Sequence, residues 1–126
     1  MVKKNIHSTN APAPIGPYNQ AIEANGFIFI SGQIALNAES NTLILDSIEE
    51  ETEQVMQNLK AILTEAGIDF DHVLKTSIFL SDMQHFSTVN TTYSKYFTKD
   101  FPARETIQVA GLPRNVNVEI SMIAIR

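Results

Sequence analysis

A chain of 126 residues with 44% hydrophobic content is long enough for one domain with a real core. Its formal net charge of −5 argues against a dedicated nucleic-acid binder, which needs a basic face. The lack of cysteine excludes disulfides, thiolate metal ligands and a cysteine nucleophile, and it is compatible with a cytoplasmic address.

No apolar run approaches the roughly 20 residues that cross a bilayer, so no membrane association is expected. The opening MVKKNIHSTNAPAP has two lysines but no apolar stretch behind them, so it does not read as a secretory signal. No internal repeat or linker divides the chain, and residues 1–126 are taken as one domain.

Val2 to His7 is compatible with a short first strand. Asn10 to Pro17 holds Pro12, Pro14, Gly16 and Pro17, and reads as an ordered extended loop. Tyr18 ends it, and chain features alone leave open both a structural role, with its ring on the core and its hydroxyl at a rim, and a functional one. Asn25-Gly26 between Ala21–Glu23 and Phe27–Ile30 is a two-residue hairpin signal. Phe27 to Ile30 is apolar at every position, as in a strand covered on both faces. Ser31-Gly32-Gln33 follows, and Gly32 implies a close backbone approach or an unusual dihedral. Leu36 to Asp46 reads as a loop.

Ser47 and Glu50 have capping-box spacing, and the apolar positions from Ile48 to Ala66 keep helical spacing until Gly67 stops them. The acidic run Glu49-Glu50-Glu51 reads as a solvated helix start. Val73 to Leu80 is the next strand. Phe86, Val89, Tyr93 and Phe97 then predict a second helix of about three turns, with Asn90 on or beside the aromatic stripe. Thr106 to Val109 is strand-like, and Gly111 and Pro113 mark a turn. In the last run Val116, Val118, Ile120 and Met122 point one way, and Asn117, Glu119 and Ser121 point the other.

The order β-β-β-α-β-α-β-β predicts an α+β fold, a mixed six-stranded sheet with two helices on one face. Two helices cover only one face. The strand at Phe27–Ile30 is apolar on both, so the second face implies a homo-oligomer whose sheets pack together.

Most familiar chemistries find no support. His7, His72 and His85 are scattered without metal-ligand spacing, so no metal is expected. No GxSxG, GxGxxG or GxxxxGK[ST] motif occurs. Arg104 and Glu119 remain. Arg104 follows Pro102 into a strand, and Glu119 interrupts a strand that otherwise buries itself. Brought together across a sheet or a subunit boundary, they would bind an acid and handle a proton.

The run FPARETIQVAGLPRNVNVEI resembles the signature of the Rid family of enamine/imine deaminases, also described as L-PSP endoribonuclease proteins. The matching residues are Pro102-Ala103-Arg104, Val109, Leu112-Pro113 and Val118-Glu119-Ile120. Ala11-Pro12, Ile15-Gly16-Pro17-Tyr18, Ser31-Gly32-Gln33-Ile34, Asn58-Leu59-Lys60, Val89-Asn90 and Tyr93 extend the likeness over nearly the whole chain. The resemblance implies a chorismate-mutase-like fold and a homotrimer with sites between subunits. It implies hydrolysis of 2-imino or enamine acids such as 2-aminoacrylate to 2-keto acids and ammonia, with no cofactor. It implies Arg104 for the substrate carboxylate, Glu119 for water, and Tyr18, Ser31, Gly32 and Asn90 as pocket residues, Tyr18 orienting at the rim. Many close members have Cys where this chain has Thr106. The main-chain N–H implied to help hold the carboxylate there is available from Thr equally well.

Two rival readings stand beside this one. One is a small 2-keto-acid binding or sensing protein that uses the same Arg104 pocket without turnover. The other is a ribonuclease, disfavoured by the acidic balance and the lack of a basic stripe or a histidine pair.

Overall fold

The computed structural model describes all 126 residues. Its elements are β1 (Lys4–Ile6), β2 (Ala21–Ala24), β3 (Phe27–Gln33), α1 (Ile48–Glu65), β4 (Val73–Leu80), α2 (Phe86–Ser94), β5 (Ala103–Gln108) and β6 (Val118–Ile125). They form the α+β arrangement read from the sequence. One six-stranded sheet runs β1-β2-β3-β6-β4-β5. It is mixed, because β4 and β5 are parallel while every other neighbouring pair is antiparallel.

Local chemistry accounts for the boundaries. Asn25 and Gly26 take φ of 53° and 82°, the two left-handed residues that a tight hairpin turn demands. Ser47 Oγ accepts the Glu50 N–H at 3.1 Å and opens α1. At its far end Gly67, at φ 79°, lets Ile68 N–H reach Leu63 O and Gly67 N–H reach Thr64 O. That pair of bonds satisfies two carbonyls the helix would otherwise leave bare.

Both helices lie on the same face. Val55, Met56, Leu59, Ile62 and Leu63 of α1 pack with Ile28, Ile78 and Ile120 of the sheet in one core, and Val89 and Tyr93 of α2 complete it. Each fully buried aliphatic side chain contributes about 1.5–3 kcal/mol by leaving water.

The second helix is shorter than its aromatic spacing predicts. It ends at Ser94, after which Tyr96 N–H bonds to Tyr93 O and Phe97 N–H to Ser94 O in tighter turns. These turns still deliver Phe97 to the core, 4.8 Å from the Tyr93 ring and 5.5 Å from Phe70. Strand β5 begins at Ala103, ahead of the expected Thr106, because Lys75 to Leu80 of β4 pair with it residue for residue. Charged Arg104 and Glu105 hide a strand there; an outermost strand tolerates them.

The acidic run at the start of α1 is not uniformly solvated. Glu49 and Glu50 are, but Glu51 has no exposure at all. Its carboxylate accepts N–H bonds from Asn117 and Val118 at the start of the central strand β6, which no local pattern announces.

The other face of the sheet is bare. Phe27, Phe29, Ile107 and Ile125 lie on it, 39%, 49%, 46% and 36% exposed. The two-faced apolar strand expected at Phe27–Ile30 is therefore buried by Ile28 and Ile30 alone within one chain.

Candidate functional site

Arg104 sits on β5 in register with Thr76, and Thr76 is buried beneath α2. The guanidinium thus projects on the helix side of the sheet. Its Cζ lies 5.2 Å from the Tyr93 ring centre and 5.7 Å from that of Phe86. Two π faces hold a planar cation in place without neutralising it. Tyr93 is itself anchored, its hydroxyl 2.8 Å from Thr76 Oγ1. None of the four ion pairs of the chain includes Arg104, so its fork is free for an incoming carboxylate. It lines a cleft of about 280 Å³ with Asn90, Tyr93, Ser94, Phe101 and Pro102. Thr106 lies on the same side, opposite Ile78, and its buried Oγ1 has no hydrogen-bond partner.

Glu119 belongs to a different cleft. It sits on β6 opposite Phe79, facing away from the helices. Ile15, Tyr18, Ser31, Gly32, Ile34 and Pro113 surround it in a cleft of about 330 Å³. Burial pushes its carboxyl above the usual carboxylate range, and no cation opposes the shift.

Gly32 is explained by this neighbour. A Cβ placed on it would lie 2.4 Å from Glu119 Oε2, so any side chain would evict the carboxyl. The β3–β6 register shifts between Ile30 and Gln33, and this bulge brings the Gly32 backbone against Glu119. Ser31 Oγ donates to Asn19 O at 2.6 Å, fixing the bulge to the preceding loop. The Tyr18 hydroxyl accepts the Ile15 N–H at 3.3 Å and remains at the rim, 46% exposed.

One residue that holds this cleft escaped the sequence reading. Gln20 is 1% exposed; its Nε2 donates to Ser8 O, Ala11 O and Pro12 O, and its Oε1 accepts the Ser8 N–H. It satisfies carbonyls of the proline-rich loop that carries Tyr18. A lone Gln before a strand carries no signal of such a role.

The structure thus sorts the candidate residues into two groups. Tyr18, Ser31, Gly32 and Glu119 come together. Arg104 and Asn90 come together elsewhere, with Thr106 beside them. Within one chain the groups do not meet. β4 lies between β5 and β6, a separation of about 10 Å across the sheet. The register adds three residues, or about 10 Å along it. The two side chains also leave opposite faces. No group of three or more His, Asp or Glu is placed to hold a metal ion, and no helix is long and apolar enough to cross a membrane.

Comparison with known proteins gives this arrangement a family. Residues 8–126 match the family described as Endoribonuclease L-PSP. A Lactococcus lactis protein named as a candidate regulator, AldR, is 53% identical over 121 residues, which cover 96% of each chain. The mouse 2-iminobutanoate/2-iminopropanoate deaminase is 46% identical over 126 residues, covering all of this chain and 93% of the relative. Among solved structures, Escherichia coli TdcF with bound serine superposes with a TM-score of 0.94 at 32% identity, over 98% of both chains. The chain therefore belongs to the Endoribonuclease L-PSP family, the family of the Rid deaminases.

Proposed function

We propose that the protein hydrolyses 2-imino and enamine acids, such as 2-aminoacrylate, to 2-keto acids and ammonia. The working site is the Arg104 cleft of one copy closed against the Glu119 cleft of another, in a homotrimer. The observation that carries this reading is the placement of Arg104 and Glu119 on opposite faces, two strands apart. A three-carbon acid cannot touch both in one chain, but it can across an interface. The bare apolar face that holds Phe27, Phe29 and Ile107 gives copies a reason to associate.

Each residue then has a task. The guanidinium fork of Arg104 takes the substrate carboxylate, with the Thr106 main-chain N–H beside it. Closure removes water and strengthens that pair. Glu119, with its raised proton affinity, accepts a proton from the water that adds to the imine carbon. It passes that proton to the nitrogen and then relays the hydroxyl proton of the resulting carbinolamine to the same nitrogen, so that the C–N bond breaks and ammonia leaves as the carbonyl forms. The Tyr18 hydroxyl orients the reacting groups from the rim. The relative named as an imine deaminase supports this substrate class.

A coupled assay tests the reading. A pyridoxal-phosphate dehydratase generates the imine, and keto-acid and ammonia release are followed with and without the protein. Acceleration is expected. Binding of 2-ketobutyrate with no acceleration would leave the sensing role, which the regulator-like name of the Lactococcus relative favours. Sedimentation should give a trimer; a stable monomer at micromolar concentration would remove the shared site.

A further inference from the structure

Glu51 is the one fully buried carboxylate of the chain, and it forms none of its ion pairs. Burying a carboxylate is costly unless its oxygens are satisfied. Here Oε2 accepts the Asn117 N–H at 2.7 Å and the Val118 N–H at 2.9 Å, and Oε1 accepts from Asn117 Nδ2 at 2.9 Å. All three donors sit in the two residues before Glu119. The first turn of α1, where Glu51 lies, favours an anion but explains nothing about this choice of partners.

The segment it grips needs fixing. Arg114 and Asn115 take φ of 56° and 58°, two successive left-handed residues that are not glycine. Pro113, at the head of that turn, lines the Glu119 cleft. Asn117 is tied on its other side to the end of β4, where its main-chain O accepts the Ser81 N–H and its Oδ1 accepts from Ser81 Oγ. Across the cleft, the Glu119 carboxyl packs so close to Gly32 that an added Cβ would lie 2.4 Å from its Oε2. A shift at the start of β6 would thus move the carboxyl relative to the Gly32 backbone it packs against.

We propose that Glu51 is a positioning residue, which sets the start of β6 and the wall of the cleft and thereby aims the Glu119 carboxyl. It acts on turnover and not on carboxylate binding, because Arg104 lies two strands away on β5, outside the segment that Glu51 holds. The activity arm of this inference rests on the deaminase reading above.

The test compares Glu51→Ala and Glu51→Gln in the full chain, with the Glu119 side-chain carboxyl 13C resonance recorded alongside turnover. Glu51→Ala should lower kcat about tenfold to a hundredfold, as expected for a small misplacement of a reacting group. Its affinity for 2-ketobutyrate should stay within about twofold. Glu51→Gln should restore most of the rate, since one amide oxygen can accept both backbone N–H groups and a rotated Asn117 amide can meet the new NH2. The Glu119 resonance, which needs no turnover, should move in Glu51→Ala and return in Glu51→Gln. If the wild type shows no imine hydrolysis, the deaminase reading fails and the resonance alone decides the positioning role. If Glu51→Ala does not fold, Asn117→Ala removes the Nδ2 bond to Glu51 and the Oδ1 bond from Ser81 but leaves both backbone N–H bonds to Glu51, and should give a smaller change of the same kind. Turnover and resonance both unchanged in a folded variant would overturn the proposal, as would a parallel loss of keto-acid affinity and rate.

Discussion

Arg104 and Glu119 carry opposite charges and have opposite surroundings. Arg104 stands at the outermost strand over two aromatic rings, with solvent on one side and no carboxylate partner. Glu119 stands in the middle of the sheet, pressed against Gly32 and short of donors, and burial raises its affinity for a proton. The first setting suits holding an anion, because a guanidinium keeps its fork while its faces rest on π electrons. The second suits moving a proton, because burial makes the carboxyl hold a proton more tightly than it would in water. On the proposed reading, binding and chemistry lie on different faces of one sheet, and each should be open to perturbation without the other.

Glu119→Gln should break the chemical half alone. Turnover should fall about 10²–10⁴-fold, the usual contribution of a positioned acid or base, while 2-ketobutyrate affinity stays near wild type. Steady-state kinetics beside calorimetric titration reads both numbers; an unchanged rate would take the water-handling role from Glu119.

Breaking the binding half should cost somewhat less per site. Arg104→Ala should weaken 2-ketobutyrate binding about 100-fold, from roughly 3 kcal/mol in a charged, two-pronged contact. Arg104→Lys keeps the charge but loses the fork, and should fall between the two. Equal affinities by calorimetry across the three proteins would mean that the carboxylate is held elsewhere. The side chain lines a cleft and is not core, so all three proteins should stay folded.

Gly32→Ala sharpens the contrast from the other direction. The added methyl displaces the Glu119 carboxyl, so the rate should drop about tenfold or more with binding retained. Tyr18→Phe should matter less, no more than about 1–2 kcal/mol for a neutral hydroxyl at the rim. A folded Tyr18→Phe protein with no turnover would move the proton-transfer role to Tyr18.

The smallest effect concerns stability. The folded protein holds the Glu119 proton more tightly than the unfolded chain, whose value lies near the ordinary 4.5. That contribution is complete below pH 4.5 and is lost as pH rises through the folded value. Glu119→Gln should therefore melt slightly above wild type at pH 7, and the gap should close at pH 4. The same gap at both values would remove burial of the charge as its cause.

Reading the chain alone went far with local structure. The hairpin at Asn25-Gly26, helix α1 with its Gly67 stop, strand β4 and the inward alternation of Val118, Ile120 and Met122 follow from periods and turn chemistry. Where a partner strand or helix decides, it failed. The charged start of β5 is a strand only because β4 pairs with it. Phe97 reaches the core by turns tighter than the helix that its spacing suggests.

The site divides in the same way. Local context and the family resemblance marked Arg104, Glu119 and Gly32: an arginine led by Pro102 into a strand, an acid interrupting a burying strand, and a glycine at a strand end. Sequence order could not say that Arg104 and Glu119 leave opposite faces, because that depends on β4 entering between β5 and β6. Nor could it tell Glu51 from Glu49 and Glu50. The three share one acidic run, and only the arrival of Asn117 and Val118, 66 and 67 residues later, gives one of them partners. Secondary structure is written in neighbours a few residues apart. Which carboxylate is buried, and what faces it, is decided by contacts between distant segments that form only when the whole sheet closes on its helices.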